Sequence, residues 1–559
     1  MSDEIPETQR AVQLVGPDEL VLNPAKPVPR PGPRQLLCRV EAVGLCFSDL
    51  KLVKQFAAHA RKSEIVSGLD PAVLAQVPSY VPGDQPTVPG HETVVRVWAV
   101  GEEVERYRPG ERYLVQTDYR WLRTENSNAA FGYNLEGALQ EFVLVDERVM
   151  LSPEGDSMLL PASAHLSASA IALVEPWACV EDAYADRQRR GPKEGGRLLL
   201  VVQQGVRGAD VSAVLARGGP PAQITWIGAG RPPRGLGPAT STAATLDDAP
   251  EGAYDDVVYY GSQAEVLERL FAKLAAHGVL VIALCGGRLG RPVTVPVGRV
   301  HYGAIRIVGT AGAQAAEALA RAPATAEIRA GDAVNVIGAG GPMGVMHVVR
   351  ALSLGLEGVS VAAGDMDDER LAALSRIAAP LAKRRGVRFE TYNPTAGAPP
   401  GPWDYLAIMV PSPALVAQAI GQAREGAIIN IFAGIPAEVT AQMDLEAYLR
   451  KGLYFVGTSG STVADMRAVL AKVESGALDT NISVAAVAGL EGAIAGIRAI
   501  ERREIAGKVI VYPACRGLEL TELGDLPRRA PAAAARLDGG VWTKEAEEAL
   551  LAACGERGA

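Results

Sequence analysis

Residues 332–352 read DAVNVIGAGGPMGVMHVVRAL, and this stretch decides the fold of the second half of the chain. An apolar run of the buried-strand type at 332–337 leads into a glycine-rich turn at 338–344, and a run with the composition of a helix follows at 345–352. Strand, glycine turn and helix in this order predict one unit of a doubly wound parallel sheet, with helices on both of its faces.

The glycine turn also predicts where a dinucleotide binds, because backbone N–H groups at a helix N-terminus can hold a pyrophosphate. The residues assigned to this contact are Gly338, Gly340, Gly341, Pro342, Met343 and Gly344. The next strand ends at Asp365, 21 residues past Gly344 and close to the ~20 at which an acid meets the adenosine ribose. A carboxylate there accepts both ribose hydroxyls and repels a 2′-phosphate, so NAD is favoured over NADP. Counted from Gly338, the spacing has one residue too many before Gly344, and a plain tight turn is the alternative.

Two blocks of sequence recur at a constant spacing. The block VLVIALCG at 279–286 recurs as AIINIFAG at 427–434, and IRIVGTAG at 305–312 recurs as LYFVGTSG at 453–460. Both pairs are 148 residues apart, which argues against a chance similarity between two unrelated α/β segments. We therefore predict two tandem Rossmann-like domains, at 191–325 and at 326–460.

The first repeat has lost the features of a nucleotide site. Its turn, QQGVRG at 203–208, carries glutamine side chains where a diphosphate needs bare backbone. Its second strand, at 223–227, is followed by glycine and alanine instead of an acid. We predict that this degenerate domain binds no nucleotide and serves as a spacer or as a subunit contact.

The N-terminal part of the chain combines short strands with three motifs that carry metal-binding side chains. Its strand-like runs are separated by glycine and proline, which is typical of a small β-barrel. The motifs are GLCFSD at 44–49, PGHE at 89–92 and VEP at 174–176, which contain Cys46, His91 and Glu175. A thiolate, an imidazole and a carboxylate together suit Zn²⁺ with one position left for water or substrate. Taken singly, each has a structural alternative: a buried cysteine, a turn histidine or a helix-start glutamate.

These motifs resemble those of the zinc-dependent medium-chain dehydrogenase/reductase superfamily, in its sorbitol dehydrogenase branch. Further matching motifs are VG at 100–101, YRPGER at 107–112, GALQEF at 137–142 and AGKVIV at 506–511. The doubled Rossmann length and the GGPMG turn narrow the resemblance to an L-sorbose-1-phosphate reductase-like subgroup. The resemblance implies an α/β protein with a GroES-like β-barrel catalytic domain at 1–190, completed by 461–513. The two Rossmann-like domains, the first degenerate, and a C-terminal tail at 514–559 make up the rest.

The resemblance also implies a role for each motif residue. The ligands of one catalytic zinc would be Cys46, His91 and Glu175. Glu92 would be a second carboxylate that binds the metal or holds a water, Ser48 would relay a proton, and Asp49 would steady His91. The implied reaction is hydride transfer between NAD and a secondary alcohol of a polyol, a sugar or a sugar phosphate. The alternatives are reduction of a non-sugar carbonyl, or a catalytically silent relative with a role in scaffolding or assembly.

Three departures from the superfamily pattern bear on the site. The 44 residues between Cys46 and His91 are about twice the usual number, and the insertion, around 57–85, is expected to reshape the pocket. Lys51 stands where many relatives have a histidine that completes the proton relay. The four-cysteine structural zinc lobe is absent from the sequence, so one zinc is expected.

The composition excludes other classes of function. A net charge of −9, from 55 basic and 64 acidic residues, gives no footprint for nucleic acid or for an anionic membrane. No run of ~18 apolar residues occurs, and the six scattered cysteines predict neither a disulfide framework nor a cysteine-rich zinc lobe. The acidic N-terminus lacks an apolar signal segment, so we expect a cytoplasmic protein whose partner is a small-molecule substrate. The resemblance implies a homo-oligomer, either a dimer or a tetramer.

Overall fold

The computed structural model describes residues 4–229, 232–233, 236 and 239–558, with side chains as far as Gly555. Contacts between residues divide the chain into two compact units. The N-terminal unit comprises the residues up to Glu181 and those from Gly460 onward, and the central unit comprises Asp182–Ser459. Among the described helices, none is both long and apolar enough to cross a lipid bilayer.

A mixed sheet of eight strands forms the centre of the N-terminal unit. In sheet order its strands are Leu159–Pro161, Arg112–Val115, Glu92–Val100, Gln35–Gly44, Lys508–Val511, Val484–Ala488 and Thr521–Glu522, with Phe142–Asp146 also paired to Gln35–Gly44. The segment from Gly460 onward supplies three of these strands, and Ile510 pairs antiparallel with Gly44. The β-rich N-terminal part is therefore present as predicted, and a distant part of the chain contributes to its sheet.

Smaller sheets and helices complete the N-terminal unit. Thr8–Gly16 pairs with Glu19–Pro27, and Ile65–Ser67, Asp118–Thr124 and Asn128–Ala130 form a three-stranded sheet. The helices are Phe47–Gln55, Pro71–Leu74, Glu147–Met150, Ala168–Ala172, Val174–Ala185, Val463–Glu474, Leu490–Arg502, Leu526–Arg529, Pro531–Ala534 and Lys544–Gly558. Because Ile65–Ser67 lies in the predicted insertion, that insertion has a strand of its own.

The tail beyond residue 513 is folded against the rest of this unit. Trp542 is fully buried, and its indole N–H donates to the hydroxyl of Tyr512. That hydroxyl donates to Glu547, whose carboxylate also accepts the backbone N–H groups of Ala168 and Ser169. The tail is therefore part of the folded unit rather than an appendage.

Cys515 and Cys554 form a disulfide within this unit, across 39 positions of sequence. The scattered cysteines predicted no disulfide framework, and this bond corrects that expectation: it depends on how the tail folds, which the spacing of the cysteines does not record. The cysteines outside this disulfide are Cys38, Cys46, Cys179 and Cys285.

The central unit contains two parallel sheets of six strands, each in the spatial order 3-2-1-4-5-6. In chain order the first sheet has strands Arg197–Val202, Gln223–Gly228, Thr240–Thr242, Tyr254–Tyr260, Leu274–Ala283 and Arg306–Thr310. The second has strands Ala333–Ile337, Ser360–Gly364, Arg388–Tyr392, Trp403–Ile408, Ala423–Ile431 and Tyr454–Val456. This is the order of doubly wound dinucleotide-binding folds, and the predicted tandem pair of Rossmann-like domains is confirmed.

Helices cover both sheets, and one hydrophobic core joins them. The helices are Val211–Leu215, Ala264–Lys273, Val297–Tyr302, Ala315–Arg321, Pro342–Ser353, Asp368–Arg385, Pro413–Gln422 and Leu445–Lys451. Leu280 and Ile282 of the first sheet belong to the same core cluster as Ile429 and Ile431 of the second. The two repeats are therefore packed together as one body of apolar side chains.

Candidate functional site

Two neighbouring strands bring three metal-ligand candidates together. The strand that ends at Gly44 pairs antiparallel with the strand that begins at Glu92, and these two residues lie opposite each other. Cys46 follows the first strand as the N-cap of the next helix, and His91 directly precedes the second strand. The ligand atoms of Cys46, His91 and Glu92 consequently lie within 4.8 Å of one another.

Asp49, which is fully buried, joins two of these candidates. Its Oδ1 lies 2.9 Å from Nδ1 of His91, and its Oδ2 accepts the backbone N–H of Cys46 at 2.9 Å. An acceptor at Nδ1 favours the neutral tautomer that presents the lone pair of Nε2 to a metal. Burial opposes a charged imidazole, but the Asp49 carboxylate raises the pKa of His91 well above its ordinary value.

Ser48 lies between the thiol and the imidazole. Its hydroxyl is 3.0 Å from Sγ of Cys46 and 3.2 Å from Nε2 of His91. Burial raises the pKa of the nearby Tyr133 hydroxyl, and the Ser48 side chain acts in the opposite direction. A hydroxyl with these neighbours can accept a proton on one side and pass a proton on at the other.

Glu92 has one carboxylate oxygen bound and one unsatisfied. Its Oε1 accepts from Nζ of Lys508 in a buried ion pair, and Oε2 has no hydrogen-bond partner among the described residues. Burial opposes the charge of Lys508, but the Glu92 carboxylate raises the pKa of that amine. A Cβ on Gly44 would overlap Oε2 of Glu92, so a larger residue at this position would displace the carboxylate.

Glu175, the third ligand expected from the resemblance, lies outside the group of three. It is buried in the first turn of helix Val174–Ala185, and the Cys179 thiol one turn later is 3.8 Å from its Oε1. Burial raises the pKa of Glu175 to about 7, with His91 lowering it and Glu92 raising it further. The structure therefore groups Cys46, His91 and Glu92, and it leaves Glu175 close enough to interact with them electrostatically.

The insertion adds a cation near this group. Arg61 forms an ion pair with Asp118 at 2.7 Å, and its guanidinium lies 5.6 Å from the centre of the Tyr133 ring. The Tyr133 ring is in turn 5.8 Å from the ring of His91. Lys51, expected at a relay position, is exposed.

Three residues of this neighbourhood escaped the sequence analysis: Lys508, Arg61 and Tyr133. Lys508 lies in the AGKVIV motif that was recognised in the sequence. The motif does not indicate that Lys508 pairs with Glu92, 416 residues away. Arg61 lies in the insertion that was expected to reshape the pocket. Tyr133 had no sequence signal, because its role depends on the packing of aromatic rings.

The glycine turn of the second repeat has the geometry of a phosphate cradle. Gly338 has φ +83°, and a Cβ on Gly344 would lie 2.4 Å from the carbonyl oxygen of Gly338. Helix Pro342–Ser353 begins here with Gly341 as its N-cap, and Met343 lies in its first turn. The backbone N–H groups of the helix start are thus available to an anion.

Asp365 lies against this turn. Its Oδ2 accepts the backbone N–H of Gly340 at 2.9 Å, and its Oδ1 accepts that of Asp367 at 3.1 Å. The structure therefore brings all the predicted cofactor residues into one place, with the acid directly beside the glycines.

Side chains occupy the corresponding turn of the first repeat. Oε1 of Gln203 accepts the backbone N–H of Ser262 at 2.8 Å and the hydroxyl of Tyr259 at 3.1 Å. The helix that follows the turn, Val211–Leu215, has five residues, against twelve for Pro342–Ser353. The first repeat is therefore degenerate, as predicted, because a side-chain network lies where the second repeat has open backbone.

Comparison with known proteins agrees with the expected kinship. Residues 32–154 match the family described as the alcohol dehydrogenase GroES-like domain. The chain is 25% identical over 250 residues to the protein YggP of Escherichia coli (strain K12), covering 41% of this chain and 58% of that protein. It is 29% identical over 152 residues to the L-sorbose 1-phosphate reductase of Klebsiella pneumoniae, covering 27% of this chain and 36% of that protein.

The matched segments thus span from about a third to somewhat over half of those relatives. Among solved structures, the 2R,3R-butanediol dehydrogenase of Bacillus subtilis superposes with a TM-score of 0.51 at 15% identity, covering 90% of this chain and 100% of that one. That likeness concerns the fold alone. Together these matches confirm the predicted GroES-like domain and the resemblance on which it rested.

Proposed function

We propose that this chain is a member of the zinc-dependent medium-chain dehydrogenase/reductase superfamily and that it transfers a hydride between NAD and a secondary alcohol of a polyol or sugar. The observation that carries the proposal is the group formed by Cys46, His91 and Glu92, whose ligand atoms lie within 4.8 Å of one another. Residues far apart in sequence meet there with a buried carboxylate, Asp49, that serves two of them.

The donor set fits zinc. A thiol, an imidazole nitrogen and a carboxylate oxygen are the ligand types that Zn²⁺ takes in catalytic sites, and the unpartnered Oε2 of Glu92 is a buried acceptor in need of a cation. Cys46, His91 and Glu92 would hold the ion, and Glu175 would interact with these ligands electrostatically. When bound, zinc supplies a Lewis acid that lowers the pKa of a substrate hydroxyl, and NAD supplies the hydride acceptor.

The chain's own residues would manage the proton and the charge. Ser48, in contact with Cys46 and His91, would take the hydroxyl proton while its own hydroxyl proton passes on to solvent. Asp49 would keep the ring of His91 oriented through its Nδ1 contact. Lys508 would offset one negative charge of a site that gathers a thiolate and carboxylates.

The second repeat would hold NAD. The N–H groups at the start of helix Pro342–Ser353 would bind the pyrophosphate, and Asp365 would exchange its contact with Gly340 for the ribose hydroxyls. The first repeat, with Gln203 across its turn, would bind none. We expect one NAD per chain.

The substrate class follows from the resemblance, and a sugar phosphate is the narrower candidate. Arg61 supplies a cation near the metal-ligand group, although Asp118 already pairs with it. Reduction of a non-sugar carbonyl would use the same groups in the reverse direction. A catalytically silent scaffold is disfavoured, because such a protein has no reason to keep Cys46, His91 and their shared Asp49 together.

Location and assembly are parts of the same proposal. We propose a cytoplasmic location from the sequence. The Cys515–Cys554 disulfide points the other way, because disulfides are rare in cytosolic proteins. A dimer or tetramer is expected from the resemblance.

A substrate screen tests the proposal. Purified full-length protein is assayed for NAD reduction with polyols, sugars and sugar phosphates, and for NADH oxidation with the corresponding carbonyl compounds and with non-sugar ketones. We expect NAD-dependent turnover of at least one polyol or sugar compound. Zinc-loaded protein that turns over none of these would contradict the proposal, and turnover of non-sugar ketones alone would favour the alternative.

Asp365→Ser should relax the preference for NAD. A carboxylate facing a 2′-phosphate costs several kcal/mol by like-charge repulsion, so its removal should raise kcat/KM for NADP relative to NAD by roughly tenfold or more. Asp368→Asn, three residues away and exposed, is the matched control. Wild-type protein that already used NADP better than NAD would contradict the role given to Asp365.

A further inference from the structure

We propose that the first Rossmann repeat is a built-in partner for the second, covering its sheet edge as a second copy would in a symmetric dimer. The contact surface, called the seam below, consists of residues 288–310 and 436–458. In a two-fold contact, if residue i of the first copy touches residue j of the second, then residue j of the first copy touches residue i of the second. Residues 148 positions apart are equivalent in this chain, so the symmetry can be checked pair by pair.

A small antiparallel sheet marks the axis of the seam. Strand Val293–Val295 pairs with strand Ala441–Met443, and Thr294 lies opposite Gln442 at the centre. Nε2 of Gln442 donates to Oγ1 of Thr294 at 2.8 Å. Thr294 and Gln442 are equivalent residues, 148 positions apart, so each strand faces its own counterpart about an axis that passes between them.

A second pair of contacts obeys the same symmetry. A Cβ on Gly309 would lie 2.5 Å from Cδ2 of Leu449, and a Cβ on Gly457 would lie 2.9 Å from Cα of His301. Gly457 is the counterpart of Gly309, and Leu449 is the counterpart of His301. In both repeats, therefore, a glycine at one position leaves room for the other repeat, and the residues that it faces in the two repeats are themselves equivalent.

A third pair of contacts joins equivalent positions, but the two contacts differ in chemistry. A Cβ on Gly298 would overlap the carbonyl oxygen of Pro436. The counterparts of these two residues are Glu446 and Arg288, which form an ion pair at 3.2 Å. One side of the axis is thus a close backbone contact, and the other side is a salt bridge.

Tyr448 joins the edge strands of the two sheets at the seam. Its buried hydroxyl donates to the carbonyl oxygen of Ile307 at 2.8 Å and accepts the backbone N–H of Phe455 at 3.0 Å. Ile307 and Phe455 are again counterparts. An open edge strand with apolar neighbours invites pairing with other chains, and this arrangement closes the edges of both sheets against each other.

The seam accounts for what the first repeat has kept and what it has lost. Its late strands stay apolar, and Val293, Val295 and Ile307 belong to the same core cluster as the buried side chains Leu445, Leu449 and Phe455. Its glycine turn lies outside the seam, so the side chains at that turn do not disturb the contact between the repeats. The subunit contact expected for this repeat is therefore made inside the chain, and a dimer or tetramer would have to use another surface.

Cross-linking of the full-length chain tests the proposal. Thr294→Cys and Gln442→Cys are made together and singly, and each protein is treated with a mild oxidant or a short bismaleimide beside untreated and wild-type samples. Directly opposed residues of antiparallel strands have Cα atoms about 4.5–5.5 Å apart, within reach of either bond. Circular dichroism confirms that each variant is folded, and peptide mass spectrometry identifies the linked positions.

We expect the double variant to form a 294–442 link within one chain, with the mass of a single chain retained. Neither single variant should give a dimer beyond the wild-type background of native thiols. A dimer from Thr294→Cys alone would mean that this strand pairs with its copy in another chain. A double variant that links two chains would mean exchange of the repeats between chains. Either outcome, or the absence of any 294–442 link in folded protein, would overturn the proposal.

Discussion

Asp49 positions two of the candidate metal ligands, because its buried carboxylate contacts both the backbone N–H of Cys46 and the ring of His91. Asp49→Asn keeps the size of the side chain but replaces one acceptor oxygen with a donor. Either the Cys46 N–H or the His91 N–H then loses its acceptor. We expect zinc affinity to fall 10–100-fold, which is typical when a hydrogen-bond partner of a ligand is removed.

Competition against a chelating dye measures this affinity. Asp84→Asn, an exposed change in the insertion, is the control and should leave the affinity unchanged. Equal affinity of Asp49→Asn and wild-type protein would show that Asp49 does not orient the ligands.

At the scale of elements, the C-terminal helix Lys544–Gly558 supports the pair of helices that presents Glu175. Glu547 accepts the N–H groups of Ala168 and Ser169, at the start of the helix that precedes Val174–Ala185. Glu547→Gln removes the negative charge and leaves a buried amide facing donors. We expect a loss of about 1–3 kcal/mol in the free energy of unfolding.

Urea unfolding of this variant provides the measurement, with the exposed Glu548→Gln on the same helix as control. A midpoint equal to that of wild-type protein would mean that the tail does not stabilise the N-terminal unit.

Helix Pro342–Ser353 contains a buried histidine that predicts a pH dependence. His347 is fully buried, Tyr184 contacts its Nδ1, and no partner of its Nε2 is found in the described structure. Burial, with the nearby Arg350 charge adding to it, lowers the pKa of His347 to about 3, from an ordinary 6.5. The unfolded chain therefore binds a proton below pH 6.5 that the folded chain does not. Stability is full above pH 6.5 and is lost as the pH falls toward 3, at about 1.4 kcal/mol per pH unit.

Chemical unfolding at neutral and mildly acidic pH checks this. His347→Gln, which does not titrate, should lose less stability on acidification than wild-type protein, whereas the exposed His165→Gln should behave as wild type. Parallel pH profiles for His347→Gln and wild-type protein would exclude His347 as the cause.

For the whole molecule, local patterns predicted the sheets, and contacts between distant segments escaped prediction. The spacing of 148 revealed two domains, because buried parallel strands are continuous apolar runs that keep their spacing after duplication. Cys46, His91 and Glu92 were found because each lies in a motif next to a strand end. The placement of Glu175 outside their group depends on how one helix packs, which no motif records.

Other features depend on pairings across hundreds of residues. Lys508 reaches Glu92 because two strands distant in sequence belong to one sheet. The seam between the repeats follows from the match of two surfaces, of which the sequence showed only the constant spacing of 148 residues. The Cys515–Cys554 disulfide likewise follows from the folding of the tail, not from the cysteine spacing.

The most direct test of the central claim is the zinc content and turnover of Cys46→Ala, measured on the same samples as wild-type protein. Cys285→Ala, which removes a free thiol of the central unit, is the matched control. We predict one zinc per chain and NAD-dependent turnover in wild-type protein and in the control, and the loss of both in Cys46→Ala with its NAD affinity retained. Full zinc content and wild-type turnover in folded Cys46→Ala would contradict the account.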